Sequence, residues 1–273
     1  MKLMKKKQVA ILMATFNGAE YLEQQMQSIE DQTYKNWKLW VSDDGSSDRT
    51  LEILNNYVKK WGKKKIEIFD GPNQGFASNF LYLICKTEIS GDYFAFSDQD
   101  DIWLPKKIEN SVKYLNSFTN HEIALYCSRT TLIDAKNKVI GKSKLFKLKP
   151  TFENAMIQSI AGANTMVMNK KLRKLFLKFG TQRNIISHDW HAYILATAAG
   201  GNIFYNPEPD ILYRQHENNK IGQNLTLNAR LQRAILVFRG KFREWYELNF
   251  RSLQHIEHLI DKKNVITLNN FNI

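Results

Sequence analysis

Three carboxylates within four residues, Asp98, Asp100 and Asp101, follow a short apolar run that contains Phe94 and Phe96. The apolar run predicts a buried strand, and the acids lie just past its end. Like charges this close repel one another unless a cation lies among them. Mg²⁺ prefers oxygen ligands and is commonly held by one or two carboxylates together with substrate phosphates. The stretch therefore favours a metal-assisted phosphate site. The alternative is a solvated acidic turn in which Asp101 caps the next helix.

The segments before this stretch alternate between strand and helix patterns. Strands are predicted at 8–14, 39–41, 66–69 and 93–97, and helices at 19–31, 48–61 and 76–88. The second helix is expected to bury Leu51, Leu54 and Val58. This alternation predicts βαβ units, a mainly parallel sheet and right-handed crossovers. Polar loops at strand ends should then open on one edge of the sheet, where open α/β sheets bind ligands.

Beyond residue 105 the pattern is less regular. Helices are predicted to about 117 and at 152–160, 170–179 and 190–199, and strands at 122–128, 131–134, 203–205 and 211–216. A basic connection spans 135–150, and Pro207 and Pro209 separate the last two strands. The tail from 229 to 262 predicts one amphipathic, basic helix roughly 50 Å long. Its apolar stripe is expected to pack on the core or a second subunit, or to lie on an anionic membrane.

Composition limits the class of protein. The chain has 273 residues, a net charge of +12 and two cysteines, Cys85 and Cys127, which fit reduced core positions. No nucleic-acid recognition motif, GxGxxG loop or GxxxxGK[ST] loop is present. No apolar run approaches the roughly 20 residues that span a bilayer, and the N-terminal run is too short for a secretory signal. We expect a cytosolic protein that does not bind nucleic acid, or one that lies on a membrane without crossing it.

Five ordered motifs together resemble the family 2 glycosyltransferases. They are Ala14–Gly18, Gln32–Tyr34, Ser42–Thr50, Asn73–Gly75 with Asn79, and Ser97–Pro105. His188-Asp189-Trp190, followed by Tyr213-Arg214-Gln215-His216, is similar to the bacterial rhamnosyltransferase branch. The match covers about residues 8–222. It implies a GT-A fold, which is a Rossmann-like α/β architecture with a mixed, mainly parallel sheet flanked by helices.

The resemblance also implies a division of the chain. Residues 1–222 would form the glycosyltransferase domain, with a nucleotide-binding half at 1–105 and an acceptor half at 106–222. Residues 223–273 would be a helical extension. The enzyme would transfer a sugar from a nucleotide diphosphate to an acceptor hydroxyl with inversion. The expected donor is dTDP-rhamnose, and the expected acceptor is a saccharide or a polyprenyl-linked saccharide at the inner face of a bacterial membrane.

Donor and metal roles follow from the same resemblance. The backbone of Thr15, Phe16 and Asn17 would hold the base together with Asp44, whose carboxylate would accept from a pyrimidine N3–H. Asp98 would hydrogen-bond the ribose, and Asp100 would bind Mg²⁺ or Mn²⁺. His216 would reach the metal or the diphosphate. The motif residues Asn73 and Asn79 are placed with the donor nucleotide.

Asp189 is expected to be the base that takes the acceptor proton, although it could instead cap the following helix, as could Ser187. The acceptor pocket is expected to include the following residues: His188, Trp190, Trp103, Gly162, Asn164 and Arg214. The chain departs from the commonest family pattern because His-Asp-Trp replaces paired acids, and because no Gln-x-x-Arg-Trp motif of processive synthases follows. A single addition is therefore favoured.

Other interpretations remain open at this point. A UDP-hexose donor would need only small changes in the sugar pocket. A sugar-nucleotide nucleotidyltransferase also uses acidic metal sites, but it usually has a Gly-rich basic loop after its first strand. A non-catalytic sugar-nucleotide-binding protein would not need Asp98, Asp100 and Asp189 together. A glycosidase uses two carboxylates, but it would leave the nucleotide motifs unexplained.

Overall fold

The computed structural model describes residues 6–119, 121–182, 184–216 and 241–270. The first part alternates as predicted: β1 Val9–Thr15, α1 Leu22–Glu30, β2 Trp37–Asp43, α2 Thr50–Trp61, β3 Ile66–Asp70, α3 Phe76–Cys85 and β4 Tyr93–Ser97. The next part contains β5 Ile102–Trp103, α4 Lys107–Leu115, β6 Ala124–Ile133, β7 Val139–Lys142 and α5 Phe152–Ile157. The remainder contains β8 Val167–Asn169, α6 Lys170–Phe179, α7 His188–Ala198, β9 Asn202–Arg214, α8 Lys241–Gln254 and α9 Lys262–Asn270. Single 3₁₀ turns lie at Ala163–Thr165 and Glu257–Leu259.

Within these residues the strands form one mixed sheet in the order β3-β2-β1-β4-β8-β6-β9-β5, and β7 pairs with β6. Strands β3, β2, β1 and β4 are mutually parallel, and so are β6 and β9. Strand β8 is antiparallel to both β4 and β6 and joins the two parallel groups. The predicted nucleotide-binding and acceptor halves therefore share one sheet.

Side chains of β1 show how the two faces of the sheet are covered. Ala10 and Leu12 belong to the core cluster beneath α3, α5, α6 and α7, whereas Val9, Ile11 and Met13 belong to the cluster beneath α1, α2 and α4. All five are fully buried. A strand with both faces buried is expected to be apolar throughout, because successive side chains point to opposite faces.

Several predicted elements need correction. In α2, Ile53 and Leu54 are buried, but Leu51 is 39% exposed, because the buried face lies about one residue away from the predicted one. The strands predicted at 122–128 and 131–134 are the single strand β6. The basic connection at 135–150 contains β7, which was not predicted.

The strands predicted on either side of the prolines are also a single strand, β9, which runs through Pro207 and Pro209. Proline is tolerated here because the register with β6 shifts between Ser128 and Thr130, so the ladder is interrupted opposite the prolines.

The C-terminal tail does not form one helix to residue 262. Helix α8 ends at Gln254, a 3₁₀ turn follows, and α9 begins at Lys262. Residues 229–240 of the predicted helix, and the predicted domain boundary at 222, lie outside the described residues. Leu253, Ile256 and Ile260 are at most 8% exposed and belong to the core. The described part of the tail therefore uses its apolar stripe for packing. No helix in the described ranges has the length and hydropathy of a membrane span.

Lys107 carries a buried amine that the sequence does not reveal. Its Nζ lies 3.9 Å from the centre of the Trp103 ring, and no described residue accepts a hydrogen bond from it. Burial lowers the pKa of Lys107 to about 7, although the nearby charges of Asp210 and Asp101 oppose this shift. The folded protein therefore favours the neutral amine.

We expect Lys107→Met to flatten the pH dependence of stability. Between about pH 7 and 10 the unfolded lysine is protonated and the folded one is not, so the unfolded state binds more protons and wild-type stability rises with pH. From pH 7.5 to 9.5 the wild type should gain about 2 kcal/mol relative to Lys107→Met in urea unfolding. Lys113→Met, at an exposed position of the same helix, should behave like the wild type. Parallel pH profiles for the wild type and Lys107→Met would contradict the buried neutral amine.

Candidate active site

The loops after β1, β2 and β4 meet at one edge of the sheet, as expected for the carboxyl ends of parallel neighbours. The Asp44 backbone N–H donates to the Thr15 carbonyl at 2.8 Å. The buried Thr15 hydroxyl donates to Asp43 Oδ1 at 2.7 Å. Asn17 has a φ of +46° and accepts a hydrogen bond from the Ser47 backbone N–H at 2.8 Å through Oδ1. The first two loops are thus a single hydrogen-bonded unit.

Gln99 connects this unit to the acidic loop, and sequence reasoning missed it. Its Oε1 accepts from the Phe16 backbone N–H at 2.9 Å, and its Nε2 donates to the Phe16 carbonyl at 3.0 Å. A Cβ on Gly18 would lie 2.2 Å from Gln99 Oε1, so a side chain at position 18 would displace this bridge. The Phe16 ring is 54% exposed above the loop. The only sequence signal for Gln99 is its place between Asp98 and Asp100.

We expect Gln99→Ala to weaken nucleotide binding about tenfold, because two hydrogen bonds of roughly 0.5–1.5 kcal/mol each order the loop. The thermal midpoint should change little, because this bridge lies at the surface. Isothermal calorimetry with dTDP and UDP measures the effect. Gln27→Ala, at an exposed position of α1, is the matched control. Unchanged affinity in Gln99→Ala would remove the positioning role.

Asp44 holds the loop between β3 and α3. Its two carboxylate oxygens accept from the backbone N–H groups of Asn73 at 2.6 Å and Gly75 at 2.8 Å. Asn73 has a φ of +55°, and only 8% of Asp44 is exposed. Each carboxylate oxygen keeps one lone-pair direction for a base N–H.

Asn79 lies beneath this loop and not at its surface. It is 1% exposed and its Nδ2 donates to the Ser42 carbonyl at 2.9 Å. It therefore supports the loop from below, and its contact with the donor nucleotide stays a prediction. Its Oδ1 has no partner among the described residues.

Three carboxyl groups converge where β4 ends and α7 begins. Burial, together with the charges of Asp100 and then Asp189, raises the pKa of Asp98 to about 8. Burial also raises the pKa of Asp189, although hydrogen bonds from the Ser187 hydroxyl and the Trp190 backbone N–H oppose the shift. Asp189 is the second residue of α7, and the Ser187 side chain makes no capping hydrogen bond to the helix backbone. The three acids thus form one electrostatic site.

Asp100 and His216 form a pair suited to a divalent cation. His216 Nε2 lies 2.9 Å from Asp100 Oδ2. Neighbouring ligands of an octahedral Mg²⁺ with bonds of 2.0–2.1 Å are about 3 Å apart, so these two atoms fit adjacent ligand positions. Within the described ranges no group of three His, Cys, Asp or Glu side chains is arranged as a complete metal site. The remaining ligands would be substrate oxygens or water, as is usual for Mg²⁺.

Asp101 does not cap a helix. It is fully buried, accepts from Asn164 Nδ2 at 2.6 Å through Oδ2, and accepts from the Arg214 backbone N–H at 3.1 Å through Oδ1. Burial raises its pKa well above the usual value, with the charges of Asp100 and Asp98 adding to the shift. The third acid of the motif therefore ties the acidic loop to β9 and to the 3₁₀ turn.

Arg214 is a clamp and not a pocket residue. It is fully buried, and its Nε donates to the Asp100 carbonyl at 2.8 Å. Its Nη1 donates to Asn137 Oδ1 at 2.5 Å and its Nη2 to Gln24 Oε1 at 2.8 Å. Sequence reasoning missed both amide partners, which have no local signal. Strand β9 ends at Arg214, and His216 lies two residues beyond that end, where its ring reaches Asp100.

The two tryptophans of the predicted pocket are also largely buried. Trp103 is 2% exposed in the core against α1, and its backbone N–H donates to Ser28 Oγ at 3.0 Å. Trp190 donates its indole N–H to the Ala155 carbonyl at 2.6 Å and is 8% exposed. Trp103 therefore cannot line an open acceptor pocket. Trp190 lines a cavity of about 200 Å³ with Met156, Ile157 and Tyr246.

His188 anchors the start of α7. Its ring stacks on Phe80 with centroids 3.8 Å apart, and burial lowers its pKa to about 3. Neither ring nitrogen has a hydrogen-bond partner among the described residues. His188 is therefore a neutral residue packed directly before Asp189, and it does not line an open surface.

Gly162 and Asn164 lie in the segment that faces the acidic loop. A Cβ on Gly162 would lie 2.8 Å from Asn164 Oδ1, so only glycine leaves room for the amide that binds Asp101. Asn164 is 2% exposed. Asn164 therefore holds the acidic loop from the side of β8, whereas Gly162 is exposed and its place in the acceptor pocket stays a prediction.

Comparison with known proteins gives a consistent result. A sequence model described as glycosyl transferase family 2 matches residues 10–181. The chain is 32% identical to the dTDP-rhamnosyl transferase RfbG of Shigella flexneri over 248 residues, which cover 86% of this chain and 80% of that protein.

Solved structures share the fold. The S. aureus TarS fragment 1–349 in complex with UDP-GlcNAc superposes with a TM-score of 0.58 at 16% identity, covering 78% of this chain and 60% of that one. The mannosyltransferase PcManGT from Pyrobaculum calidifontis, in complex with GDP-Man and Mn²⁺, gives a TM-score of 0.56 at 15% identity, covering 98% and 80%. Both similarities identify the GT-A fold.

Proposed function

This chain belongs to glycosyl transferase family 2, and we propose that it moves a sugar from a nucleotide diphosphate to an acceptor hydroxyl with inversion at the sugar. The observation that carries the proposal is the convergence of Asp98, Asp100 and Asp189 at the carboxyl edge of the parallel strands. A donor-binding loop, a metal pair and a base are the parts that such a transfer needs.

The donor nucleotide would lie across the loops after β1, β2 and β3. The backbone of Thr15, Phe16 and Asn17 would contact the base, and the free lone pairs of Asp44 would accept from its N3–H. The exposed ring of Phe16 offers a face for contact with the base. Asp98 directly follows β4, at the edge of the sheet where the loops after β1 and β2 meet. This place supports its role as the ribose contact.

Asp100 and His216 would hold Mg²⁺ or Mn²⁺ against the diphosphate. The cation would supply positive charge where the leaving diphosphate becomes more negative. Arg214 supports this role from below, because its guanidinium fixes the Asp100 carbonyl and its backbone N–H fixes Asp101.

Asp189 would take the proton of the acceptor hydroxyl as the new bond forms. Inversion by direct displacement needs one base on the face opposite the leaving group, and an ionised carboxylate suits this task. The raised pKa makes Asp189 a better proton acceptor once it is ionised. The stacked His188 and the Trp190 indole fix the helix turn that carries it.

The donor is proposed to be dTDP-L-rhamnose because RfbG, a named dTDP-rhamnosyl transferase, is similar over most of both chains. TarS and PcManGT carry UDP-GlcNAc and GDP-Man, and at their identities they support only the fold. A UDP-hexose donor is the second candidate. The proposed acceptor is a lipid-linked saccharide, and the proposed setting is bacterial surface polysaccharide synthesis.

A donor panel tests this proposal. The full chain is incubated with Mn²⁺, a synthetic polyprenyl-diphosphate saccharide, and either dTDP-L-rhamnose, UDP-glucose or UDP-GlcNAc. The mass of the product identifies the sugar, and proton NMR of the new linkage reports its configuration. We expect transfer of rhamnose with inversion. Transfer from a UDP-sugar alone would show that the donor is not dTDP-L-rhamnose. Retained configuration at the transferred sugar would contradict Asp189 as the base of a direct displacement.

A further inference from the structure

Residues 135–149 carry an unusual concentration of positive charge. This stretch, here named the 135–149 segment, comprises the β6–β7 turn, β7 and the chain that follows, and it contains no aspartate or glutamate. All six of its lysines are exposed: Lys136, Lys138, Lys142, Lys144, Lys147 and Lys149. None of them forms an ion pair with a carboxylate in the described part of the chain.

Large apolar side chains are exposed among these lysines. Val139 is 60% exposed, Ile140 46% and Leu148 86%. Leu148 has the highest exposure of any large hydrophobic residue reported for the described ranges. A surface that combines lysines with protruding apolar side chains matches an anionic bilayer, where the lysines meet headgroups and the apolar side chains enter the acyl boundary.

The 135–149 segment is held from its inner side. Phe146 packs against Tyr205 with ring centroids 5.7 Å apart. Arg129 Nε donates to the Ser143 carbonyl at 2.7 Å, and the Tyr205 hydroxyl donates to the Lys144 carbonyl at 3.2 Å. These contacts hold the segment against β6 and β9, while its lysines and Leu148 stay exposed.

One end of the segment borders the candidate active site. In the sheet, Val139 pairs with Ile133, and Ile133 pairs with Arg214. Two interstrand spacings separate Val139 from Arg214, which is roughly 10 Å. Asn137, in the turn, binds the Arg214 guanidinium, which in turn binds the Asp100 carbonyl. A membrane bound here would lie beside the metal pair.

Two other basic regions fit a bilayer less well. The described part of the C-terminal tail uses its apolar stripe in the core, where Leu253 and Ile256 are buried. Helix α6 has exposed lysines at 170, 174 and 178, but its exposed large apolar side chain is Leu177 alone, at 38%. Compared with these two regions of the described chain, the 135–149 segment combines exposed lysines with several exposed apolar side chains next to the site.

We propose that the 135–149 segment is a membrane-docking surface that binds anionic lipid and holds the candidate active site at the bilayer. The docking itself is independent of the sugar that is transferred. The docking proposal rests on the proposed function in one respect: a lipid-linked acceptor would enter the site from the membrane side. It assigns membrane contact to β7 and the chain that follows it.

Vesicle sedimentation of the full chain tests the charge requirement, using phosphatidylcholine alone and phosphatidylcholine with phosphatidylglycerol. The triple variant Lys142→Glu, Lys144→Glu, Lys147→Glu should bind the anionic vesicles more than tenfold more weakly, since each lysine near the surface contributes about fivefold. The matched control Lys170→Glu, Lys174→Glu, Lys178→Glu changes net charge equally and should lose less than threefold. Equal losses in both variants would show dependence on net charge alone and would overturn the proposal.

A second variant tests the apolar requirement. Val139→Ser, Ile140→Ser, Leu148→Ser keeps every charge, and it should lose about tenfold in vesicle binding but nothing in binding to the soluble polyanion heparin. Unchanged vesicle binding would point to a polyanionic partner such as nucleic acid or an acidic polysaccharide, and would overturn a bilayer surface. All variants should bind nucleotide like the wild type in calorimetry. Loss of docking is thereby distinguished from failure of the proposed glycosyl transfer.

Discussion

Replacing Asp189 with asparagine should lower the turnover number by about 10²–10⁴-fold while donor affinity stays within about twofold, because a general base contributes to the reaction and not to donor binding. The amide is nearly the same size as the carboxylate, so packing at the start of α7 is preserved. The amide cannot take the proton from the acceptor hydroxyl. The donor panel gives turnover, and calorimetry with the nucleotide diphosphate gives affinity.

Glu153→Gln is the matched control for Asp189→Asn. Glu153 is also the second residue of its helix, α5, but it is exposed. The Glu153→Gln variant also loses a negative charge near a helix N-terminus, and it should keep wild-type turnover. Near-normal turnover in Asp189→Asn would remove Asp189 as the base, and equal losses in the two variants would indicate a general effect of charge.

The same assignment predicts a pH dependence of wild-type activity. The base acts only when ionised, so turnover should fall as pH drops through the pKa of Asp189. Burial holds that pKa above the usual aspartate value. The acid limb of the profile should therefore lie at higher pH than an exposed aspartate would give, and it should disappear from the residual activity of Asp189→Asn.

Replacing Asp100 with asparagine should abolish the metal dependence of donor binding. The metal-dependent part of the affinity should fall about 10- to 100-fold, because a charge-assisted contact contributes roughly 1.5–3 kcal/mol. Calorimetry with Mn²⁺ and with EDTA should then give the same dissociation constant. His216→Gln should show a smaller loss in the same direction, because the carboxylate would remain.

The stability of Asp100→Asn distinguishes a lost metal ligand from a damaged fold. The charge of Asp100 helps to raise the pKa of both Asp98 and Asp101, so removing it relieves repulsion. The metal-free variant should therefore be at least as stable as the metal-free wild type. Asp70→Asn, at the exposed end of β3 on the same edge, should bind donor like the wild type. Metal-dependent affinity that persists in Asp100→Asn would contradict its role.

The fold from β1 to β4 could be predicted well from the sequence, because both of its signals are local. Buried parallel strands are continuous apolar runs, as at 9–13 and 93–96, and polar residues at their ends must share one edge. These signals predicted the parallel sheet, and the resemblance of the five motifs predicted the family and the GT-A fold correctly. Convergence of Asp98 and Asp100 with Asp189, roughly 90 residues later, required the resemblance as well as the pattern.

The errors have a common physical cause. Trp103 and Arg214 are residue types that often bind ligands, but the sheet and helices bury them, and burial depends on packing from distant segments. Likewise, Gln24 and Asn137 bind Arg214 across 190 and 77 residues of sequence, which no local pattern encodes. The tail was predicted as a single helix because its 3.6-residue stripe continues through 256–260, where the chain makes a turn that the stripe does not reveal.

Calorimetric titration of the full chain with dTDP, UDP and GDP, each with Mn²⁺ and with EDTA, tests most directly whether the Asp98–Asp100–His216 edge binds a nucleotide diphosphate through a metal. We predict binding that requires Mn²⁺, with dTDP tighter than UDP or GDP. Metal-dependent preference for UDP would keep the site and replace rhamnose with a hexose. No binding of any of the three nucleotides with Mn²⁺ present would contradict the proposed site.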